Sequence, residues 1–238
     1  MRLLVDAALS VLFSPECAAC AAPLAQPTRG AVCEHCWMSV VPVTPPFCDC
    51  CGDALRDAPM ASARCPRCRQ HPPAIERARS LGLYDGALRQ IVHALKYGGR
   101  RSVAGPIGRR LRQGHADLLE LADIAVPVPL HPSKQRERGF NQAEDLARAI
   151  GLPVTRALRR LRRTARQTDL NAEERLENVR DAFAVTRHAA RVRGRSVVLV
   201  DDVTTTGATL NACAAALLEA DVTVVYALTA ARAATKSR

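Results

Sequence analysis

The hydrophobic pattern is most regular in the C-terminal two thirds of the chain, where short apolar runs alternate with segments of helical periodicity. Gly86–Tyr97 is predicted to be a helix with four inward positions, Leu88, Ile91, Val92 and Leu95. Apolar runs predict strands at Ala78–Tyr84, Ile124–Leu130, residues 153–160, Phe183–Thr186, Ser196–Val200 and Val222–Thr229. This alternation predicts an α/β fold with a mostly parallel sheet.

The N-terminal segment MRLLVDAALSVLF carries an apolar face at helical spacing, formed by Leu3, Leu4, Ala7, Ala8, Val11 and Leu12. Asp6 interrupts the apolar run, which argues against a signal peptide and favours an amphipathic helix that packs on the next part of the chain. No stretch reaches the roughly 20 apolar residues that span a bilayer. We therefore expect a cytoplasmic protein without a membrane span.

Cysteines are concentrated near the N-terminus, where nine of the ten lie between Cys17 and Cys68. Two CxxC pairs 12 residues apart form a first unit, Cys17, Cys20, Cys33 and Cys36. Two pairs 13 residues apart form a second unit, Cys48, Cys51, Cys65 and Cys68. Each unit supplies four thiolates for a tetrahedral structural Zn²⁺ site. Such closed sites have no open position for catalysis, so they are expected to fold a small domain or a binding surface.

Two alternatives to these ligand sets arise from the same residues. The cysteines can form a disulfide framework, although the rest of the chain is typical of a cytosolic protein. Cys50 can replace Cys48 or Cys51 as a ligand. Outside this region, Cys213 is expected to be a small core residue. A linker between Gln70 and Ile75 predicts two domains: residues 1–70, the N-terminal helix and double zinc ribbon, and residues 76–232.

Charge adds a further constraint, because the chain of 238 residues has a formal net charge of +11. Six arginines fall within eleven positions, Arg156, Arg159, Arg160, Arg162, Arg163 and Arg166. This cluster predicts an anionic partner, a diphosphate or a nucleic acid, or else it forms a solvated basic face. The basic tail Ala230–Arg238 is expected to fray.

The most informative stretch is SVVLVDDVTTTGATL, Ser196–Leu210, where a predicted buried strand is followed by Asp201 and Asp202. A small, hydroxyl-rich loop then leads into a helix, Thr204, Thr205, Thr206, Gly207, Ala208 and Thr209. The N–H groups and dipole of a helix N-terminus favour a phosphate. Carboxylates accept hydrogen bonds from sugar hydroxyls and bind Mg²⁺. The sequence predicts a phosphorylated sugar as ligand; the alternative is a strand that ends in a solvated acidic pair.

Three more polar segments are candidates for anion binding or for closure of a site. His131–Gln142 predicts a loop at the carboxyl end of a strand, where open α/β sheets bind ligands, and it carries Lys134, Arg136 and Arg138. A diglycine is flanked by Lys96, Tyr97, Arg100 and Arg101, which either approach an anion or form an ordinary helix junction. Arg163–Thr168 predicts a mobile polar loop, and Asn171 is suited to cap the helix after it.

Residues 196–210 resemble the phosphoribosyl-diphosphate-binding signature of type I phosphoribosyltransferases: a hydrophobic strand, two acids, one hydrophobic residue, then TTG and a closing Thr. Over nearly its full length, the chain resembles the ComF/GntX family, in which a double zinc ribbon precedes a phosphoribosyltransferase domain. The segments that carry this resemblance are the CxxC pairs, LKYGGR, PVPLHPSKQRERGFNQ, RTARQTDLNAEERLENV and VVLVDDVTTTGAT.

The resemblance implies phosphoribosyl diphosphate and Mg²⁺ as ligands. The 5-phosphate is then expected in the loop Thr204–Thr209 and the ribose hydroxyls against the catalytic Asp201 and Asp202. Lys134, Arg136 and Arg138 are expected to bind the leaving diphosphate, while the loop Arg163–Thr168 closes over the site. The acceptor, a base or an amine, is not specified by the sequence.

The resemblance also implies an alternative function. ComF-like proteins are associated with natural transformation, so the chain is alternatively a DNA-handling protein that binds single-stranded DNA or DNA-uptake proteins. Zinc ribbons and the arginine cluster suit a groove that binds the DNA backbone. The low aromatic content of 3% argues against a stacking platform for bases.

Overall fold

The computed structural model describes residues 14–55, 64–162 and 181–233. Several predicted features lie outside the described residues: the N-terminal helix, the loop Arg163–Thr168, the helix after Asn171, and the tail beyond residue 233. In the ranges that are described, no helix combines the length and the apolar character needed to cross a bilayer. The cytoplasmic location stays a prediction.

The described residues of the N-terminal part, 14–55 and 64–70, are mainly irregular and include two short α-helices, α1 (Glu34–Met38) and α2 (Pro66–Gln70). Strands and helices then alternate: β1 (Arg77–Leu83), α3 (Gly86–Tyr97), α4 (Ala104–Gly114), α5 (Ala116–Leu119), β2 (Ile124–Pro127), α6 (Pro132–Arg138), α7 (Gln142–Ala149), β3 (Leu158–Arg160), β4 (Phe183–Val185), β5 (Ser196–Thr204), α8 (Ala208–Leu218) and β6 (Val224–Arg232). Short 3-10 helices occur at Pro27–Arg29, Arg101–Val103 and Arg187–Arg191.

Four strands form a parallel sheet in the order β1-β6-β5-β2, and β3 pairs with β4 in a separate antiparallel unit. This confirms the predicted α/β fold with a mostly parallel sheet. One face of the sheet packs against α3, α4 and α7, and the other packs against α8 and the β3–β4 unit. The four inward residues predicted for α3 are fully buried, and Cys213 is a core residue as expected.

The central strands extend beyond the apolar runs that predicted them. β5 includes both acids and ends at Thr204, because the ladder with β6 continues through the pairs Asp201↔Thr229 and Thr204↔Arg232. The predicted tail therefore begins too early, since residues 230–232 belong to β6. β5 continues through mainly polar residues that pair with β6, whereas β6 continues through two fully buried alanines, Ala230 and Ala231, to Arg232.

Two other predictions need correction. The stretch 153–160 is not one strand, because only Leu158–Arg160 pairs with β4 and Val154 makes a lone bridge to Ala125. The predicted loop His131–Gln142 contains the helix α6. Its cap is the ring Nδ1 of His131, which accepts from the Ser133 N–H at 3.3 Å; Pro132 occupies the first turn, and the helix ends before Gly139.

The zinc-ribbon part covers the free edge of the sheet at β1. The Ala78 N–H donates to the Cys50 carbonyl at 2.6 Å, and the Leu83 N–H donates to the Val41 carbonyl at 2.8 Å. The Arg110 guanidinium also stacks on Trp37, 3.7 Å from the ring centre. The ribbon thus supplies hydrogen-bond acceptors that a fifth strand would otherwise provide.

Helices α4 and α7 pack so closely that their contact depends on a glycine. A Cβ added at Gly108 would lie 2.3 Å from the Cβ of Ala149 and 2.8 Å from its carbonyl carbon. A Cβ at Gly105, in the same helix, would meet only the Arg109 guanidinium at 3.6 Å. There is therefore no room for a side chain at Gly108, whereas Gly105 can accommodate one.

We expect Gly108→Ala to lower the free energy of unfolding by about 1–3 kcal/mol, because the added methyl overpacks the α4–α7 contact. Gly105→Ala is the matched control and is expected to stabilise the protein by up to about 1 kcal/mol, because alanine is the better helix former. Denaturant unfolding of the two zinc-loaded variants measures both changes. Equal stability of the two variants would contradict the close packing of α4 on α7.

Candidate functional site

The eight predicted metal ligands form two compact four-cysteine clusters. The first cluster is Cys17, Cys20, Cys33 and Cys36, and the second is Cys48, Cys51, Cys65 and Cys68. Within each cluster the four sulfur atoms lie within 4.8 Å of one another. Cys50 does not belong to this set; it is buried, and its carbonyl accepts from Ala78.

The sulfur geometry fits a tetrahedral zinc centre. Zn–S bonds of about 2.3 Å place the sulfur atoms of a tetrahedron about 3.8 Å apart. The Sγ–Sγ distances are 3.9 Å for Cys17–Cys36, 3.8 Å for Cys20–Cys33 and 3.8 Å for Cys51–Cys65. Disulfides need about 2.05 Å, and all ten cysteines are free, so the disulfide alternative is wrong.

Backbone donors stabilise the thiolate of Cys17 in the first cluster. The N–H groups of Cys33 and Ala19 donate to the sulfur of Cys17 at 3.3 and 3.4 Å. Burial raises the pKa of Cys17, but these hydrogen bonds, together with those from Cys20, outweigh it and lower the pKa to about 6. A deprotonated sulfur is the form that a metal binds.

The two acids at the end of β5 point to opposite faces of the sheet, as successive strand residues do. Asp202 faces the side of α3, where it forms an ion pair with Lys96 at 2.8 Å. Asp201 faces the side of α8 and is only half-buried, with one carboxylate oxygen accepting from the Asp202 N–H at 2.8 Å. A ligand at this edge reaches Asp201 more readily than Asp202, whose residue is 4% exposed.

Each acid has a basic side chain near it on its own face. Burial, together with the charge of Asp202, raises the pKa of Asp201 to about 7, and Lys96 and Arg160 act against this increase. Burial opposes the charged form of Lys96, but the charge of Asp202 outweighs it and raises the pKa of Lys96. A bound cation beside Asp201 would favour its ionised form.

Lys96 and Arg160 were not predicted to lie beside the acids. A usable signal existed for Lys96, because Leu88, Val92 and Lys96 occur at i, i+4 spacing, which places Lys96 on the buried stripe of α3. Arg160 is the last residue of a three-residue strand, and the sequence does not indicate which side of that strand its side chain occupies.

The predicted loop Thr204–Thr209, here named the phosphate loop, includes the last residue of β5, the turn 205–207 and the first two residues of the eleven-residue helix α8. Gly207 occupies the cap position with a φ of 80°, a left-handed conformation that side chains disfavour. The Ala208 N–H donates weakly to the Thr206 hydroxyl at 3.4 Å. The first N–H groups of a helix have no intrahelical acceptor, so this junction offers donors to an anion.

The predicted diphosphate-binding residues lie on α6, at the carboxyl end of β2. Arg138 donates to the side chain of Gln142 and stacks on Tyr97, 5.1 Å from the ring centre. Lys134 is half-buried and Arg136 is exposed. Tyr97 comes directly after Lys96 on α3, so the segments LKYGGR and RGFNQ meet beside the strand-end acids.

A cavity of about 330 Å³ lies next to α6, between α7 and the β3–β4 unit. Its polar lining includes Gln135, Asn141, His188 and the ion pair of Glu144 with Arg156. Neither Asp201 nor Asp202 lines it. The cavity adjoins the predicted diphosphate-binding segment without including the acids.

The four described members of the predicted arginine cluster do not share one face. Arg156 pairs with Glu144 of α7 at 2.6 Å, and Arg162 pairs with Asp181 at 3.8 Å. Arg160 is half-buried and stacks on Phe183, whereas Arg159 is exposed on the opposite side of β3. Arg163 and Arg166 lie outside the described residues.

Comparison with known proteins defines the class. Residues 8–69 match the model of a double zinc ribbon domain, and residues 136–238 match a phosphoribosyl transferase domain. A solved glutamine phosphoribosylpyrophosphate amidotransferase from B. subtilis is similar at a TM-score of 0.38 and 23% identity, covering 58% of this chain and 30% of that chain. The protein is a double zinc ribbon joined to a phosphoribosyltransferase-type α/β domain.

Relatives that match over most of their length show to which family the chain belongs. The chain is 34% identical over 207 residues to the DNA utilization protein YhgH of Salmonella typhimurium, which covers 77% of this chain and 90% of the relative. It is 28% identical to Competence protein F of Haemophilus influenzae, over 77% of this chain and 82% of the relative. It is 26% identical to Competence protein ComFC of Bacillus subtilis, over 79% of this chain and 78% of the relative. The chain belongs to the ComF/GntX family.

We expect the purified protein to carry two zinc ions, one for each four-cysteine cluster. Cys48→Ser should lower the zinc content to one ion, because three thiolates and a hydroxyl make a poorer site than four thiolates. Cys50→Ser is the matched control and should retain both ions. Metal analysis after gel filtration distinguishes the two variants; loss of zinc from the Cys50 variant would mean that Cys50 is a ligand.

Proposed function

We propose that the protein binds phosphoribosyl diphosphate with Mg²⁺ and transfers the phosphoribosyl group to a base or an amine. The observation that carries this proposal is the junction of β5 and α8. There, two acids near the end of a strand are followed, after Val203, by a hydroxyl-rich segment and the N-terminus of a helix. This order suits a ligand that bears both a phosphate and sugar hydroxyls.

The phosphate loop is the proposed site of the 5-phosphate. The backbone N–H groups at the start of α8, the hydroxyls of Thr205, Thr206 and Thr209 and the helix dipole all favour an anion there. Gly207 permits the left-handed turn that brings the helix N-terminus next to the end of β5. The ribose then extends from this loop towards Asp201.

The acids are the proposed partners of the ribose hydroxyls, and their environments differ. Asp201 is half-buried and is the more accessible acceptor, whereas Asp202 is held by Lys96. One oxygen of Asp202, Oδ2, is buried without a hydrogen-bond partner among the described residues. Hard carboxylate oxygens suit Mg²⁺, so the more accessible Asp201 is the residue that would contact it. When bound, Mg²⁺ would neutralise charge on the diphosphate.

The basic side chains of α6 are the proposed partners of the leaving diphosphate. Positive charge develops on the sugar ring as its bond to the diphosphate breaks, and negative charge develops on the leaving group. Asp201 stabilises the first of these charges, and Lys134, Arg136 and Arg138 stabilise the second. Because Arg138 is already held by Gln142 and Tyr97, little rearrangement is needed to use it.

We expect the double variant Asp201→Asn with Asp202→Asn to lose detectable binding of phosphoribosyl diphosphate and Mg²⁺ in titration calorimetry. Lys96→Met should weaken binding by about tenfold or more, because the buried carboxylate of Asp202 loses its counter-charge. Asp117→Asn, which removes an exposed carboxylate on α5, is the control. Wild-type affinity in the double variant would refute the assignment of the acids.

Turnover is tested by diphosphate release from the wild-type protein with a panel of bases and amines. Release that depends on one acceptor would establish a transferase and identify its substrate class. Binding without release in any mixture would contradict the transfer step and leave a phosphoribosyl-diphosphate-binding protein.

A second candidate function is the handling of single-stranded DNA. This function is suggested by the names of the relatives, which include DNA utilization and competence proteins. Its physical basis is a set of exposed arginines on β3, just after β3 and along the segment after β4: Arg159, Arg162, Arg187, Arg191, Arg193 and Arg195. Three of them, Arg162, Arg193 and Arg195, also form ion pairs with aspartates. Arginines of this kind bind phosphates without reading sequence.

We expect any oligonucleotide binding to weaken steeply as salt is raised, because counterions are released from the phosphates. Reversing Arg159, Arg187 and Arg191 to Glu should abolish it. Fluorescence anisotropy with a labelled single strand at low and high salt measures both effects. Absence of binding at low salt would rule out this function for the isolated protein.

A further inference from the structure

Arg232 joins the end of the central sheet to the second four-cysteine cluster. It is the last residue of β6, and its side chain is almost entirely buried, with 3% of the residue exposed. Its Nε donates to the carboxylate of Asp53 at 3.2 Å, and its Nη1 donates to the carbonyl of Cys51 at 2.6 Å. A buried guanidinium needs such partners, because an unpaired buried charge is strongly destabilising.

Both partners belong to the metal-binding knuckle. Cys51 is a member of the second cluster, and Asp53 closes the knuckle by accepting from the Cys48 N–H at 2.7 Å through its carbonyl. The knuckle also lies directly against β1: a Cβ at Gly52 would come within 2.6 Å of the Ala78 carbonyl. Zinc binding is expected to order this knuckle, and the ordered knuckle holds the Asp53 carboxylate and the Cys51 carbonyl where Arg232 can donate to them.

The backbone of the same residue lies beside the phosphate loop. Arg232 is paired with Thr204 in the parallel ladder, and the next residue, Ala233, donates its N–H to the Thr204 carbonyl at 2.8 Å. Thr204 is both the last residue of β5 and the first of the phosphate loop. The side chain of Arg232 thus binds the ribbon, and its backbone stands next to the start of the loop.

We propose that Arg232 is a positioning residue that holds the phosphate loop in place by anchoring the end of β6 to the second four-cysteine cluster. Loss of zinc from that cluster, or loss of the guanidinium, frees the end of β6 and loosens the loop. The effect on sugar-phosphate binding rests on the proposed function; the effect on loop order does not.

The primary test is hydrogen–deuterium exchange of residues 204–210 in the zinc-loaded protein without ligand. Arg232→Met should accelerate exchange of these amides by about tenfold or more, because two hydrogen bonds of a charged group are lost. Arg232→Lys should restore part of the protection. The zinc-deficient Cys48→Ser variant should accelerate exchange of the same amides as Arg232→Met.

Arg79→Met is the matched control. Arg79 also binds the ribbon, through the Asp49 carbonyl at 3.0 Å and the ring of Phe47 at 4.5 Å, but it lies near the start of β1. It should leave exchange at 204–210 unchanged. Equal acceleration in both methionine variants would mean general loosening of the ribbon and would overturn the positioning role, as would wild-type exchange in Arg232→Met.

Two further measurements keep the outcomes separate. If Arg232→Met is insoluble, Asp53→Asn removes the charged partner while leaving the guanidinium, and the same exchange pattern is expected. Calorimetry with phosphoribosyl diphosphate and Mg²⁺ should then show an affinity loss for Arg232→Met that Arg79→Met lacks. A wild-type protein that binds no phosphoribosyl diphosphate would refute the proposed function, whereas the exchange data would still decide the role of Arg232.

Discussion

The parallel pairing of β5 with β6 is the interaction on which the rest of the structure depends. The ladder runs from Ser196 to Thr204 and extends from the apolar core to the polar edge at the carboxyl ends of the strands. This ladder fixes the positions of the two acids and of the start of the phosphate loop. Because side chains alternate along a strand, the same ladder separates Asp201 from Asp202 and exposes them to different charges.

The location of the predicted site was readable from the sequence because it depends on local order. An apolar strand, two acids and a small loop before a helix can meet at only one edge of a parallel sheet, and the cysteine spacing likewise defines two knuckle pairs. Lys96 and Arg160 were missed as neighbours of the acids because their positions depend on packing between elements distant in sequence. The end of β5 was missed because backbone pairing with β6 extends the strand through polar residues. The end of β6 was missed because two buried alanines continue it to Arg232.

The ribbon and the α/β domain share one hydrophobic core rather than touching through polar contacts alone. Cys17 and Cys36 of the first cluster belong to the same buried cluster as Leu88, Leu95 and Ile107. A metal centre that forms part of a core contributes to folding of the surrounding helices as well as of its own loop. Metal content and the stability of the α/β domain are therefore linked.

The ribbon's cover over β1 has a consequence for the protein in solution. With Cys50 and Val41 accepting hydrogen bonds from β1, the free edge of the sheet is not available to another chain. A bare edge of a parallel sheet is a template for strand addition and aggregation. If loss of zinc disorders the ribbon, the β1 edge is exposed to strand addition by other copies of the chain, so self-association is the expected result of zinc loss.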